Sequence, residues 1–297
     1  MALMLGALAL TLTGCFGEQY VTRTYDISEA FTNISMDTDV ADIVFVPSTD
    51  GTSKVVCYEE AATEHSVKVG GGTLSIESDN THKWNFTWFS SPKITVYLSA
   101  AEYSKLRIKG STGSVEIPKE FKFGSVDISL STGNVNCYAS VTEGVKVTGS
   151  TGGVNLDGAS VGSVDIAVST GKVTLSNVTA SGDVKVGVST GDVVLSKVTC
   201  KNITSEGDTG SITLSDVTAS EKLSVERDTG DVKLERSDAA EIFIETDTGS
   251  VTGTLLTEKV FDASSDTGSV DVPESTAGGA CVITTDTGNI KITVQAK

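Results

Sequence analysis

The residues in this sequence whose types could support chemistry are aspartates set in short tripeptides, of which Asp247-Thr248-Gly249 is one example. An aspartic protease carries each catalytic carboxylate in such a tripeptide, and it needs two of these aspartates brought together. This chain instead holds ten copies of Ser/Asp-Thr-Gly, five with Ser and five with Asp in the first position. Serine in half of the copies argues against shared acid chemistry, so we interpret the tripeptide as structural.

The tripeptides recur at nearly constant intervals along the chain. They begin at Ser111, Ser131, Ser150, Ser169, Ser189, Asp208, Asp228, Asp247, Asp266 and Asp286. Successive copies are 19 or 20 residues apart, and a Val or Ile stands two residues after each Gly. Apolar and polar residues alternate through the stretches that follow. Alternation with period two is typical of strands that bury one face.

Each interval holds about three short strands, which cannot bury their apolar face alone. Stacked repeats can do so, because each strand pairs with its equivalent one coil away. The sequence therefore predicts an all-β fold, a single-stranded parallel β-solenoid with 19–20 residues per coil. The uneven coil length favours the right-handed β-helix over the hexapeptide-based left-handed type. At the turn, Gly supplies a positive φ, and Ser or Asp can accept a hydrogen bond from the backbone N–H two residues on.

The first residues are typical of an export signal. An apolar run of about a dozen residues, too short to span a bilayer, ends at Leu12-Thr13-Gly14-Cys15. This ending resembles a bacterial lipobox, in which the signal is cut before a Cys that then carries lipid, so we predict lipidation at Cys15. The first basic residue is Arg23, which is atypical for a signal. A buried N-terminal strand is the alternative interpretation.

These patterns predict three regions. A lipoprotein signal peptide covers residues 1–15, an N-terminal cap with irregular first coils covers 16–105, and a regular β-solenoid covers 106–297. The cap is expected because the end of a solenoid must be covered to avoid edge pairing.

The cysteines beyond Cys15 show no metal-binding CxxC spacing. Cys137 and Cys200 stand at inward positions about three coils apart, too far for a disulfide, which needs Cα atoms within about 7 Å. We predict that they are small buried hydrophobes, as we do for Cys281, and leave Cys57 open. His65 and His82 are the only histidines, and neither has a metal or triad spacing.

The stretch HKWNFTWFSS at 82–91 contains both tryptophans. Trp84, Phe86 and Trp88 alternate and would share one strand face. They form either a platform for a sugar or protein ligand or an aromatic lid over the first coil.

The chain is strongly acidic, with a net charge of −17. This charge argues against nucleic acid and anionic membrane surfaces as partners. In a solenoid the five tripeptide aspartates would stack about 4.8 Å apart; they are Asp208, Asp228, Asp247, Asp266 and Asp286. Oxygen ligands suit Ca²⁺, so a weak Ca²⁺ ladder is one hypothesis and a salt-screened turn ladder is the other. We predict no other cofactor.

Several motifs resemble the bacterial putative-adhesin family, a domain of unknown function built of β-strand repeats. They are Ala41-Asp42-Ile43-Val44-Phe45 with Pro47, the strand-rich stretch 94–117, and the serial S/D-T-G-x-V-x-L units. The resemblance covers about residues 30–297. Ser99 stands where the family pattern often has Pro. The resemblance implies a β-helix at the cell envelope with no established catalytic residue.

Together these features predict a non-catalytic, lipid-anchored protein of the bacterial cell envelope. It would act outside the cytoplasm as an adhesin-like binding or scaffold module for a cell-surface glycan or protein, held to the membrane by its lipid. One alternative is a polysaccharide-active β-helix enzyme of the pectate-lyase kind, although Arg107, Arg227 and Arg236 are isolated in the sequence. Another is an envelope-sensing component that binds a membrane partner.

Overall fold

A computed structural model of the chain describes residues 8–11, 20–61, 64–78, 92–99 and 101–295. Every regular element in these residues is a β-strand, as the abundance of Val, Ile and Thr favours. Within them no helix is long and apolar enough to cross a membrane. The chain divides into two units, Met1–Thr142 and Glu143–Lys297.

The first unit contains twelve strands in the described residues. They are β1 (Leu8–Thr11), β2 (Tyr20–Ile27), β3 (Asn33–Val40), β4 (Asp42–Pro47), β5 (Ser53–Glu60), β6 (His65–Gly70), β7 (Thr73–Ser78), β8 (Lys93–Leu98), β9 (Glu102–Thr112), β10 (Val115–Ile117), β11 (Lys122–Thr132) and β12 (Val135–Cys137).

Parallel pairing stacks these strands into coils whose order differs from their order in the chain. Strand β3 lies between β7 and β9, and β9 also pairs with β11. Strand β4 lies between β8 and β10, and β10 also pairs with β12. The coil formed by β7 and β8 is therefore the end coil of this unit, although β3 and β4 precede it in sequence.

Antiparallel strands cover the free edge of this end coil. Strand β5 pairs antiparallel with β8, β2 with β5, and β1 with β2, while β6 pairs antiparallel with β7. The cover leaves the inward residues of the end coil buried, as Ile94 at 1% exposure illustrates. Such a cap protects the edge strands of the coil from pairing with another chain.

The second unit contains the regular repeats. Its strands are β13 (Ser140–Thr151, which starts just before the unit), β14 (Val154–Asp157), β15 (Ser160–Val161), β16 (Val164–Thr170), β17 (Val173–Ala180), β18 (Val184–Thr190), β19 (Val193–Cys200), β20 (Ile203–Thr209), β21 (Ile212–Ser215), β22 (Thr218–Thr229), β23 (Val232–Thr248), β24 (Val251–Leu255), β25 (Lys259–Thr267), β26 (Val270–Asp271), β27 (Gly279–Thr287) and β28 (Ile290–Val294).

Register in the second unit confirms the predicted parallel solenoid. Val164 pairs with Val184, Val184 with Ile203, and Ile203 with Leu223, so equivalent residues meet after 19 or 20 positions. All four side chains are buried. The valines and isoleucines two residues after each Gly form a second inward row through this unit, interrupted only at its end.

The Ser/Asp-Thr-Gly tripeptides make the predicted turn. Most of their glycines have φ between 133° and 158°, a range that L side chains rarely adopt. Space is restricted as well, because a Cβ on Gly191 would lie 1.9 Å from the carbonyl oxygen of Gly171 in the preceding coil. Glycine therefore allows both the turn and the close stacking of coils.

The last coil in sequence lies inside the stack rather than at its end. Strand β27 pairs with β23 on one side and β25 on the other, and β28 likewise lies between β24 and β26. The strands β25 and β26 thus form the outermost coil, which we call the terminal coil. Simple stacking in chain order, the basis of the sequence prediction, is wrong here.

The two exchanged coils differ in how deeply their inward side chains are buried. The coil of β27 and β28 points Cys281, Ile283 and Ile290 inward, and all are buried. In the terminal coil Phe261, Ala263 and Val270 stand in register with these residues and are half-buried or exposed.

Candidate functional site

Two of the residue sets predicted from the sequence lie outside the described residues. They are the lipidation site Cys15 and the aromatic set Trp84, Phe86 and Trp88. Both stay predictions.

The five tripeptide aspartates are exposed, and the structure corrects their order. Register of the adjacent threonines places Asp208, Asp228 and Asp247 in consecutive coils. Thr287 then lies between Thr248 and Thr267, so the carboxylate of Asp286 comes before that of Asp266 in the row. A Ca²⁺ role for this row stays a hypothesis.

The acceptor at this corner differs from the expected one. Among the described residues, none of the five aspartates accepts a hydrogen bond from its own turn. The residue that follows the Gly accepts instead: Oδ1 of Asp192 from the N–H of Ser211 at 3.0 Å, and Oδ1 of Asp231 from the N–H of Ser250 at 2.8 Å. These bonds link neighbouring coils, so Asp192 and Asp231 have a structural role.

The terminal coil is the candidate binding surface of the second unit. Within the described residues, β25 pairs only with β27 and β26 only with β28, so the outer edge of both strands has no strand partner. Of the four large apolar side chains that are exposed in the described residues, Val260 (43%) and Val270 (42%) lie in this coil, and Leu256 (38%) lies in the segment that leads into it from β24. The unpaired N–H and C=O groups of such an edge are a template for strand addition, and exposed apolar side chains beside it favour binding.

A buried ion pair fixes the terminal coil to the unit. Nζ of Lys259 lies 2.6 Å from Oδ1 of Asp238, and both side chains are less than a tenth exposed. Thr257 donates its hydroxyl to Oδ2 of the same carboxylate at 2.8 Å and also contacts Nζ of Lys259. A buried charge pair with its remaining oxygens satisfied holds one geometry, so the edge is preorganised.

Acidic side chains surround this edge. Asp262 and Asp266 are exposed on β25, and Asp271 is exposed on β26. Nζ of Lys291 lies 3.6 Å from Asp271, whereas the charge of Lys259 is buried against Asp238. The edge thus presents apolar side chains within a mainly negative field.

A second constellation lies in the first unit, at the cap. Cys57 and Glu59 share the inward face of β5, and His65 begins β6; all three are buried. A thiol sulfur, a carboxylate oxygen and a ring nitrogen from the three lie within 4.8 Å of one another. Arg23 on β2 pairs in register with Cys57 and donates from Nη1 to Oε1 of Glu59 at 2.6 Å.

Burial and charge shift the titration of groups around this cluster. Burial and the negative charge of Glu59 raise the pKa of the Cys57 thiol well above its usual value. Burial likewise raises the pKa of Tyr25, whose hydroxyl donates to the carbonyl oxygen of His65 at 2.9 Å. Burial lowers the pKa of Arg23, but its hydrogen bond to Glu59 together with the negative charges of Glu59 and Glu64 outweighs this, and the net shift is upward.

Comparison with protein families now places the chain. The family model described as Toastrack DUF4097 matches residues 31–188 and 179–297. The chain belongs to the Toastrack family. The resemblance to a family of unknown function built of β-strand repeats is thereby confirmed, and the β-solenoid is the fold expected of a Toastrack domain. A comparison with curated proteins gives no significant match.

Several solved structures are similar to this Toastrack chain along most of their length. A putative adhesin from Bacteroides fragilis is 18% identical, with a TM-score of 0.45, over 93% of this chain and 98% of the other. A putative adhesin from Parabacteroides distasonis is 11% identical, with a TM-score of 0.49, over 92% and 97%. A putative lipid binding protein from the same organism is 16% identical, with a TM-score of 0.38, over 91% and 96%.

Arg227, isolated in the sequence, is a buried core residue of the Toastrack solenoid at 1% exposure. It pairs in register with Gly207, where a Cβ would lie 1.9 Å from Nη1 of Arg227, and it donates from Nη1 to the carbonyl of Val188 at 2.8 Å. Burial lowers its pKa, against the charges of Asp208 and Asp192. The glycine makes room for the guanidinium, which is held away from solvent.

Sequence reasoning missed the cap cluster because it searched for ligand spacings and treated His65 as isolated. One signal was present. Val55, Cys57 and Glu59 alternate, so the carboxylate of Glu59 falls on the same face as two core residues. A carboxylate at a core position needs a partner, and that requirement could have directed attention to Arg23 and His65.

Proposed function

We propose that the protein is a non-catalytic binding module of the bacterial cell envelope, and that its terminal coil receives the partner. One observation carries this proposal: the outer edge of β25 and β26 has no strand partner in the described residues, while Val260 and Val270 beside it are exposed. Proteins normally cover such an edge, as the first unit of this chain does. An edge held in place by the Lys259–Asp238 pair and left open is suited to binding.

The partner we propose is an extended polypeptide segment with basic side chains. A strand can add to an open edge through main-chain hydrogen bonds, and alternate side chains then give specificity. The carboxylates of Asp262, Asp266 and Asp271 favour a cationic segment and oppose a second copy of the same acidic edge. The partner would therefore be a different protein and not a second copy of this chain.

Placement at the envelope rests on the sequence. The apolar run ending at Leu12-Thr13-Gly14-Cys15 would direct export, and lipid on Cys15 would anchor the module to the membrane outside the cytoplasm. A net charge of −17 keeps the exposed solenoid soluble. Cys15→Ala in the native host should move the protein from the membrane fraction to the soluble fraction; a mutant that stays wholly in the membrane would contradict the anchor.

The contacts of the arginines do not favour a polysaccharide-active enzyme. Arg236 donates from Nε and Nη2 to the carboxylate of Asp216 at 2.8 and 2.6 Å, Arg23 is paired with Glu59, and Arg227 is buried. These three guanidinium groups are engaged in contacts within the protein, and Arg107 is exposed on β9.

The test is binding of a labelled synthetic peptide to the full chain, measured by fluorescence anisotropy. The peptide alternates valine and lysine, and its matched control replaces each lysine with glutamate. We expect saturable, salt-sensitive binding of the basic peptide alone. Asp262→Lys should weaken binding about tenfold or more, whereas Glu206→Lys, at an exposed site on a regular coil, should change it little.

Three results would contradict the proposed edge. They are no binding of the basic peptide, equal binding of both peptides, and equal effects of Asp262→Lys and Glu206→Lys. Sedimentation of the same samples addresses the other occupant, since a concentration-dependent dimer that the basic peptide dissociates would show that a second copy covers the terminal coil.

A further inference from the structure

The ion pair that fixes the terminal coil brings an amine and a carboxylate together away from water. Nζ of Lys259 lies 2.6 Å from Oδ1 of Asp238, and the two side chains are 3% and 8% exposed. The other lysine–carboxylate pairs in the described residues are 42% or more exposed on both sides. Water hydrates and screens those pairs, whereas the Lys259–Asp238 pair is largely removed from it.

The amine of this pair is also close to the carboxyl carbon. Because the bond from carbon to Oδ1 adds only about 1.2 Å, Nζ of Lys259 lies no more than about 3.8 Å from Cγ of Asp238. A nucleophile held at about 3–3.5 Å from its target atom is in position to attack. Folding has thus turned an encounter between two groups into a reaction within one molecule, where effective concentrations are far higher than in free solution.

Two further donors hold the carboxylate of Asp238. Oδ1 accepts from the backbone N–H of Ala239 at 2.8 Å, and Oδ2 accepts from the hydroxyl of Thr257 at 2.8 Å. The same hydroxyl oxygen accepts a hydrogen bond from Nζ of Lys259. Thr257 therefore connects the amine to Oδ2, and a proton can pass between them through its hydroxyl.

We propose that Lys259 and Asp238 join in an isopeptide bond, an amide between Nζ and Cγ, which ties the terminal coil covalently to β23. In the first step one proton passes from the Nζ ammonium through the hydroxyl of Thr257 to Oδ2. This transfer turns the ion pair into an amine and a carboxylic acid, and neutral groups cost less free energy than charges in a site removed from water.

The amide then forms by attack of the free amine. Nζ of Lys259 bonds to Cγ of Asp238, and the negative charge that develops on Oδ1 is stabilised by the N–H of Ala239. A second proton leaves Nζ through Thr257 for Oδ2, the bond from Cγ to Oδ2 breaks, and one water departs. An ammonium and a carboxylate thus become an amide and a water, so atoms and charge balance without an oxidant or cofactor. Thr257 is exposed, which gives the water a route to solvent.

The bond would close residues 238–259, which include β24, into a loop. The terminal coil is paired on one side only, so a covalent tie at the start of β25 would prevent its detachment from β23. This inference goes beyond the proposed function, since the outer edge stays open to a partner whether an ion pair or an amide holds the coil.

The experiment is mass spectrometry of peptides from the full chain, unfolded before digestion. Trypsin cuts after lysine and arginine, so a chain without the bond gives the peptides 237–259 and 260–291. An amide on Lys259 removes that cleavage site, and we expect one peptide, 237–291, lighter by one water than its sequence. A second digestion that cuts after glutamate should leave 237–241 joined to 259–274.

Two variants and an internal control accompany the wild type. Lys259→Arg keeps a cation and the trypsin site but has no amine, so its peptides should have the full mass of their sequences. Thr257→Val should slow the appearance of the linked peptide after synthesis at least about tenfold. The exposed pair of Lys291 with Asp271, 3.6 Å apart, should stay unlinked, and trypsin should cut after Lys291.

A wild-type chain that gives 237–259 and 260–291 at full mass, even after prolonged incubation of the folded protein, overturns the proposal. So does a loss of water confined to 237–259 or one that survives Lys259→Arg, because either would be a cyclic imide at Asp238. The linked peptide is sought in the wild type, so the outcome does not depend on how well a variant folds.

Discussion

The end coil of the first unit and the terminal coil of the second unit solve the same problem in opposite ways. Strands β5 and β6 pair antiparallel with β8 and β7 and cover the first edge. The described residues provide no such strand for β25 and β26. Both coils belong to parallel stacks, so their difference lies in the neighbouring strands that cover the coil rather than in the coil itself.

The exposure of two side chains at equivalent positions shows the effect of this cover. Ile94 lies in register with Ile43, which pairs with Val115, two residues after a motif glycine. Val270 holds the same motif position in the terminal coil. Ile94 is 1% exposed and Val270 42% exposed. An apolar side chain left this open in a fold that can cap its edges suggests a surface retained for binding.

The largest expected difference is in the stability that each of these two residues loses when it is replaced by aspartate. Ile94→Asp should destabilise the first unit by about 4 kcal/mol or more, because an unpaired carboxylate would be buried. Val270→Asp should change stability by about 0.5 kcal/mol or less, because its carboxylate would remain in water. Urea denaturation of both variants checks this. Equal losses would mean that the terminal coil is covered in solution.

Glycine substitutions in the turns should show a smaller contrast. Gly191→Ala should cost roughly 2–4 kcal/mol, since its φ is +143° and the new Cβ would meet the carbonyl of Gly171. Gly268→Ala meets the carbonyl of Gly288 at a similar distance, but the terminal coil is paired on one side and can shift outward. Thermal melts should place Gly268→Ala nearer to wild type, and the reverse order would contradict the open edge.

The thiol beneath the terminal coil should make stability fall at alkaline pH. Burial raises the pKa of Cys281 from 9.0 to about 12. Above pH 9 the unfolded chain loses this proton while the folded chain keeps it, so stability falls as pH rises toward 12. This thiol contributes a slope of up to about 1.4 kcal/mol per pH unit. Cys281→Ala should flatten the dependence of unfolding free energy on pH between 9 and 11, and an unchanged slope would show that the thiol ionises freely.

Charge in the turn row should have the smallest effect. Asp228 has aspartates in both neighbouring coils, whereas Asp266, in the terminal coil, has Asp286 on one side only. Asp228→Ser should therefore raise stability at low salt by less than about 1 kcal/mol, and Asp266→Ser by less still. High salt should remove both gains. A large loss in Asp228→Ser, or a Ca²⁺ stabilisation that this variant abolishes, would assign the row a specific cation role.

Much of the fold could be predicted from periodicity alone. The spacing of the tripeptides defines the coil, and the Val or Ile after each Gly defines the inward row, as Val193 and Ile212 show. The order of coils could not be predicted this way, since Asp266 and Asp286 begin identical turns and every stacking order keeps the same register. The inward side chains do not decide the order either, because Ala263 is in register with the larger Ile283 whereas Phe261 is in register with the smaller Cys281.

The cap and its polar cluster were harder to predict for a different reason. Strands β5 and β6 pair antiparallel, so no repeat indicates which residues meet. Arg23 and Glu59 are 36 residues apart and come together only through the pairing of β2 with β5. Two turns of the second unit could not be predicted either. Lys197 and Arg236 adopt positive φ values of 53° and 48° there, which their residue types do not favour.

Amide hydrogen exchange tests the comparison of the two coils most directly. The amides of β8, hydrogen-bonded within a covered coil, should exchange only on opening of the first unit. Those of β25 and β26 that point to the open edge should exchange at least about a hundredfold faster than the amides of β28, and the valine–lysine peptide should slow them. Protection of β25 equal to that of β8 in the free protein would contradict the account, because it would mean that the terminal coil has no open edge.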